Sequence, residues 1–182
     1  MRTRDSTHPE GVEMSTDRHH IVVGVVPAST KRVVAAAIVF ARRFDADLVI
    51  ASVDPHRRTV EERPDGTVLG VVSDTTFVDV DEVVFDPDQL TLCHEVLDSS
   101  GVTWTTRALA GDPAIELDAL AERLDASMVI VGTREPGVRE TLREFVNGSV
   151  AMRLSHRQNR PIVVIPLAPT GPDGAMPWAG DD

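Results

Sequence analysis

The sequence predicts an α/β domain: a single open, doubly wound sheet of five mostly parallel strands with helices on both faces. Three observations predict it. Short continuous runs rich in β-branched residues, IVVGVV, DLVIASV and PIVVIP, have the pattern of strands buried on both faces. Stretches whose apolar residues recur at helical spacing lie between such runs. A chain of 182 residues, 42% hydrophobic, can also build one sizeable core and still leave tails.

In chain order, residues 1–18 are polar and hold nothing that could bury itself, so a disordered leader is expected there, ahead of a domain over 19–167. His20–Val26 is the first strand, bounded by Pro27. His19 and His20 adjoin it, but neighbours on a strand face opposite sides and do not converge on one metal. Ser29 or Thr30 is expected to cap a helix whose apolar stripe is Val33, Val34, Ala37, Ile38, Ala41 and Phe44, with Arg42 and Arg43 toward solvent. Asp47–Val53 is the second strand.

Residues 54–88 differ in kind. Ten carboxylates (Asp54, Glu61, Glu62, Asp65, Asp74, Asp79, Asp81, Glu82, Asp86 and Asp88) face only Arg57, Arg58 and Arg63. Asp65-Gly66 between Thr59-Val60-Glu61 and Thr67-Val68-Leu69 signals a hairpin, and Thr76–Val84 alternates enough for another short extended piece. This reads as an acidic insertion over the open end of the sheet. Its acids lack the fixed spacing of a calcium loop and read better as a solvated face than as a cation site.

Order resumes at Pro87, in the first turn of a helix through Leu90, Leu92, Cys93, Val96 and Leu97. Cys93 lies on its apolar side and reads as a small buried hydrophobe rather than a nucleophile. Val102–Ala110 alternates like a strand nearer a sheet edge. Asp112 caps, and Pro113 opens, a helix burying Ile115, Leu117, Leu120 and Leu124. Ser127–Val131 is the fourth strand. It leads into a glycine-punctuated loop and a helix head at Asn147-Gly148-Ser149, where unpaired amides suit an anion. Pro161–Pro166 is the last strand, and residues 168–182, rich in Pro, Gly and Ala, are expected to form a disordered tail.

Composition also excludes function classes. A net charge of -11 with no basic, aromatic-interleaved stripe argues against nucleic acid and anionic lipid as partners. No run approaches the roughly 20 apolar residues needed to cross a bilayer. One cysteine rules out an internal disulfide framework and points to a reducing compartment. With an opening that lacks the apolar core of a signal peptide, a cytoplasmic location is expected. No structural metal is expected, and no Gly-Lys-Ser/Thr occurs, which disfavours a Walker-type loop. In doubly wound sheets ligands settle beyond the carboxyl ends of the strands where strand order reverses, so the exits at Val26-Pro27-Ala28, Val53-Asp54 and Gly132–Ser149 are the candidate site.

IVVGVV, DLVIASV, Gly111-Asp112-Pro113-Ala114, MVIVGTR, Asn147-Gly148-Ser149-Val150-Ala151 and Arg160-Pro161-Ile-Val-Val-Ile-Pro166, in this order and spacing, resemble a universal stress protein domain over His20–Leu167. The resemblance implies an adenine nucleotide alpha hydrolase-like fold and a homodimer joined through the last strand, Pro161–Pro166. It also implies an ATP or other adenine-nucleotide site at Val25, Val26, Pro27, Val53, Gly132, Thr133, Arg134, Gly137, Gly148, Ser149 and Val150, with Gly132 and Gly148 as amide donors and Ser149 as the phosphate-contacting hydroxyl. Two departures weigh against it. ATP-binding members carry two residues between the first two glycines and nine between the next two, whereas here Gly132 and Gly137 enclose four and Gly137 and Gly148 enclose ten. Those members also resemble one another in an Asp at the first-strand exit, where this chain has Val26 or Pro27. The resemblance therefore implies a regulatory, nucleotide-sensing module without robust turnover. The alternatives are an interaction and dimerisation module that has lost its ligand, or a weak nucleotide hydrolase.

Overall fold

The computed structural model of the chain describes residues 19–63, 66–72, 80–133 and 150–167. The expected leader and tail, and the loop residues Arg134, Gly137, Gly148 and Ser149, lie outside them. β1 (His19–Val25) leads to α1 (Thr30–Phe44) and β2 (Ala46–Asp54). The acidic insertion supplies β3 (Arg57–Glu62), β4 (Val68–Val72) and β5 (Val80–Glu82). Then follow α2 (Pro87–Leu97), β6 (Trp104–Ala110), α3 (Pro113–Arg123), β7 (Met128–Gly132), a short α4 (Val150–Ser155) and β8 (Ile162–Ile165).

The main sheet is parallel throughout, as the buried apolar runs predict, and its strands are ordered β6-β2-β1-β7-β8. Strand order reverses between β1 and β7. Ile21, Val23, Ile50 and Ile130 point to the face covered by α1 and α2, whereas Val22, Val49 and Val129 point to the face covered by α3 and α4. Alternation along each strand thus feeds two cores at once, which is why the centres of the runs are apolar on both faces.

Helix ends follow local chemistry. Asp86 accepts the Gln89 amide at 2.9 Å, Asp112 accepts those of Ala114 and Ile115 at 3.0 and 3.2 Å, and Pro87 and Pro113 open their helices where a missing N–H costs nothing. Three expectations are corrected. Ser29 holds the N-cap position of α1 but caps nothing: its backbone is already helical (φ -117°, ψ -6°), and its hydroxyl turns back toward the Val26 carbonyl. Phe44 is 51% exposed because α1 stops there, with Asp45 in the left-handed region. Ile115 is 41% exposed because the face of α3 that meets the sheet is Ala114, Leu117, Leu120 and Ala121, and Ile115 stands off that face.

The insertion is a small antiparallel sheet of its own, ordered β3-β4-β5. The hairpin signal is met: Gly66 turns with φ +86°, its amide bonded to the Arg63 carbonyl at 2.9 Å. Thr59 donates its hydroxyl to the Ala110 carbonyl at 2.8 Å, and Val68 is buried in the cluster that holds Leu109 and Ala110. The sheet docks at the carboxyl end of β6 and α3, on the flank opposite β8.

Cys93 sits at zero exposure in the α1/α2 core, and burial pushes its thiol up from 9.0 to about 11. A folded-state value above the unfolded one leaves stability intact below pH 9 and erodes it as pH rises toward 11. The native thiol is therefore expected to react with a disulfide reagent only at the rate of opening, far more slowly than in denaturant. Prompt stoichiometric labelling of folded protein at pH 8 would contradict its burial.

Candidate functional site

The carboxyl ends of β1, β2 and β7 carry the expected site residues that lie within the described chain. Val25 is the buried last residue of β1 and pairs with Ser52 of β2. Val26, 57% exposed, and Pro27 follow in the turn to α1. The Val26 carbonyl faces inward and accepts from the amides of Ser29 and Thr30 at 2.9 and 3.1 Å and from the Thr30 hydroxyl at 2.9 Å. That carbonyl is committed to starting the helix. Val53 is half-buried on β2 opposite Leu109 of β6. Val150 is the first residue of α4.

Gly132 ends β7 at a point of close approach. A Cβ there would lie 3.0 Å from Val33 Cγ2 and 3.3 Å from Leu167 Cδ1, so the strand leaves the sheet tight against α1. Thr133 is occupied in part. Its amide donates to the Ile165 carbonyl and its hydroxyl accepts the Leu167 amide, each at 2.9 Å, which ties the ends of β7 and β8 together. Arg32 of α1 also donates to the Leu167 carbonyl. The exit of β7 is thus braced from two sides.

Between the exits of β1 and β2 runs a buried polar chain. The side-chain amide of Gln89 donates to Thr30 Oγ1 at 3.0 Å, and its carbonyl oxygen accepts from the Ser52 hydroxyl at 3.3 Å. Gln89 is fully buried, so these bonds satisfy groups that would otherwise be costly to enclose. Sequence reading did not single it out, although Gln89, Cys93 and Leu97 fall at four-residue spacing on one face of α2.

Next to Ser52 opens a cleft of about 280 Å³, between the ends of β2 and β6 and the insertion. Ser52, Asp54, Arg57 and Glu82 supply its polar lining, Val83 and Leu109 its apolar one. Asp54 accepts the His56 amide at 2.9 Å and lies 3.6 Å from Arg57 Nε. Further round, at the head of α3, burial alone would raise the Asp112 carboxyl. The Arg153 guanidinium at 2.6 Å and the two capping amides outweigh it and hold the group below its ordinary value. Burial lifts the neighbouring Glu116 instead, against the charge of Arg123.

A larger cleft, about 570 Å³, opens at the other end of the sheet between α3 and the approach to β8. Its walls are joined by the Arg157–Asp118 and Arg160–Asp125 pairs at 3.6 and 3.8 Å, and it lies at the amino ends of the strands. Parallel sheets place ligands at the opposite end, so the smaller cleft and the adjoining exits are the better site.

The model of the universal stress protein family matches residues 17–166. The chain belongs to that family. Among solved structures, a universal stress protein in complex with cAMP is 20% identical, covering 81% of this chain and 95% of that one with a TM-score of 0.52. A universal stress protein from Archaeoglobus fulgidus is 17% identical over 81% of this chain and 93% of its own, TM-score 0.54. Another, from Archaeoglobus fulgidus DSM 4304, is 14% identical over 87% of this chain but 48% of its own, TM-score 0.54, so this universal stress protein domain spans about half of it. At these identities the likeness is one of fold. A comparison with curated proteins found no match.

Proposed function

We propose that this universal stress protein domain is a regulatory module that binds an adenine nucleotide at the exits of β1, β2 and β7. The observation that carries the reading is the reversal of strand order between β1 and β7. It opens the parallel sheet beside the Val26–Ser29 turn and the side-chain-free backbone of Gly132. A family member of the same fold has been crystallised with cAMP, which supports this ligand class. The domain also offers a second copy of itself the outer edge of β8, which among the described residues pairs with β7 alone, and where Val164 is 43% exposed and Ile162 and Ile165 are half-buried.

A second reading, a ligand-free interaction module, is favoured by one observation. The β1 exit presents Val26, Pro27 and Ala28, none of which has a side-chain acceptor for a nucleoside. Isothermal titration with ATP and AMP separates the two: saturable heat supports the nucleotide module, and no heat at millimolar nucleotide leaves the interaction module. Light scattering on the same samples is expected to show a dimer, and a monomer would remove the β8 pairing.

A further inference from the structure

We infer that Asp54, at the end of β2, accepts the ribose hydroxyls of a bound nucleotide, so that this domain selects ribonucleotides over deoxyribonucleotides. The inference rests on the nucleotide reading above and names one contact within it.

Position is the first support. In the parallel register Val25 of β1 lies beside Ser52 of β2. Asp54 is two residues further on, the last residue of β2, just past the level at which β1 gives way to the Val26–Ser29 turn. A ligand seated at the β1 exit would have the 280 Å³ cleft at its side, with room for a pentose. In doubly wound sheets a carboxylate near the end of the second strand is well placed to take a ribose hydroxyl.

The second support is the hydrogen-bonding balance of the cleft. Asp54 and Glu82 are acceptors, and the Ser52 hydroxyl spends its proton on Gln89 and so turns lone pairs outward. An ionised carboxylate has about four acceptor positions, of which Asp54 uses one on the His56 amide and directs another toward Arg57. The remainder can receive donors. Arg57 compensates the charge of Asp54, so a cationic group gains less there than two neutral O–H donors do. A cis-diol supplies those donors in adjacent positions. The buried Gln89 chain from Thr30 to Ser52 holds the floor of the cleft in place relative to the β1 exit.

The test is isothermal titration of the full chain and of Asp54→Asn with ATP and with 2′-deoxy-ATP. Wild type is expected to bind ATP about tenfold more tightly than its deoxy analogue, as one charge-assisted hydrogen bond provides. In D54N the ratio should fall to about twofold or less, with affinity for the deoxy analogue falling less than affinity for ATP, because the deoxy analogue loses only its 3′-hydroxyl contact. Equal affinities in wild type, or an unchanged ratio in D54N, overturn the inference while leaving the nucleotide reading intact. No binding of either compound removes both. If D54N does not fold, Asp54→Glu takes its place: the longer carboxylate is expected to shift the ratio, and an unchanged tenfold preference overturns the assignment to Asp54.

Discussion

Ile130→Ala is expected to lower the unfolding free energy by about 2–5 kcal/mol, read as a fall in the urea midpoint at unchanged slope. Ile130 has no exposed surface and sits mid-strand in β7, beside Val23 of β1 on one side and Val163 of β8 on the other. Its side chain enters the cluster that holds Val33 and Val34 of α1. Removing its outer carbons costs the transfer energy of those atoms and leaves a cavity that three elements border and none can close alone. The exposed Val39 of α1 is the control, since Val39→Ala should stay within about 0.5 kcal/mol. A loss below about 1 kcal/mol at Ile130 would mean that β7 is not the strand the core is built on.

Ile130 also shows why so much of this fold is legible in the sequence. A strand between two helix layers must be apolar at every position, so Ile21–Val23, Leu48–Ala51 and Val129–Val131 announce themselves without any partner being known. Pro87 and Pro113 behind their aspartates fix two helix starts in the same local way. What could not be read depends on partners distant in the chain. Gln89 looks like an ordinary polar helix residue until Thr30 and Ser52 are brought to it from other elements. Asp54 is legible as a strand-exit residue, but the cleft around it exists only once the insertion brings Arg57, Glu82 and Val83 to it. Ser29 had the right chemistry for a cap, but its backbone angles removed the geometry. At the site, Val53 and Gly132 were placed at strand exits from the apolar runs alone, whereas the brace between Thr133 and Leu167 needed the two strand ends side by side.

The insertion makes the same point in energetic terms. Alternation and Asp65-Gly66 announce a hairpin, yet they do not say which surface it covers. In the structure it covers the end of β6, and the contacts differ greatly in weight. Glu62 and Arg123 pair at 3.4 Å, but both are exposed and water screens them, so the pair contributes little. Thr59 gives one hydrogen bond to Ala110. The apolar contact comes from Val68 against Leu109 and Ala110, with Val83 behind it. An unanchored hairpin of this size would not hold its place.

Val68→Asp should therefore detach the insertion rather than unfold the domain. Keeping the new carboxylate buried against Leu109 and Ala110 would cost roughly 3–5 kcal/mol. That exceeds what one hydrogen bond and a screened ion pair return, about 1–2 kcal/mol together, so the cheaper course is for β3 and β4 to leave β6. Hydrogen exchange should then lose protection over 57–62 and 68–72 while β1 and β7 keep theirs. The cleft would also lose the wall that Glu82 and Val83 provide, so ATP and 2′-deoxy-ATP should bind the variant more nearly alike, whereas a site built on β1 and β7 alone would keep its full discrimination. Unchanged protection in the hairpin would show that the Thr59 bond and the surface charges hold the insertion, and that Val68 is not its anchor.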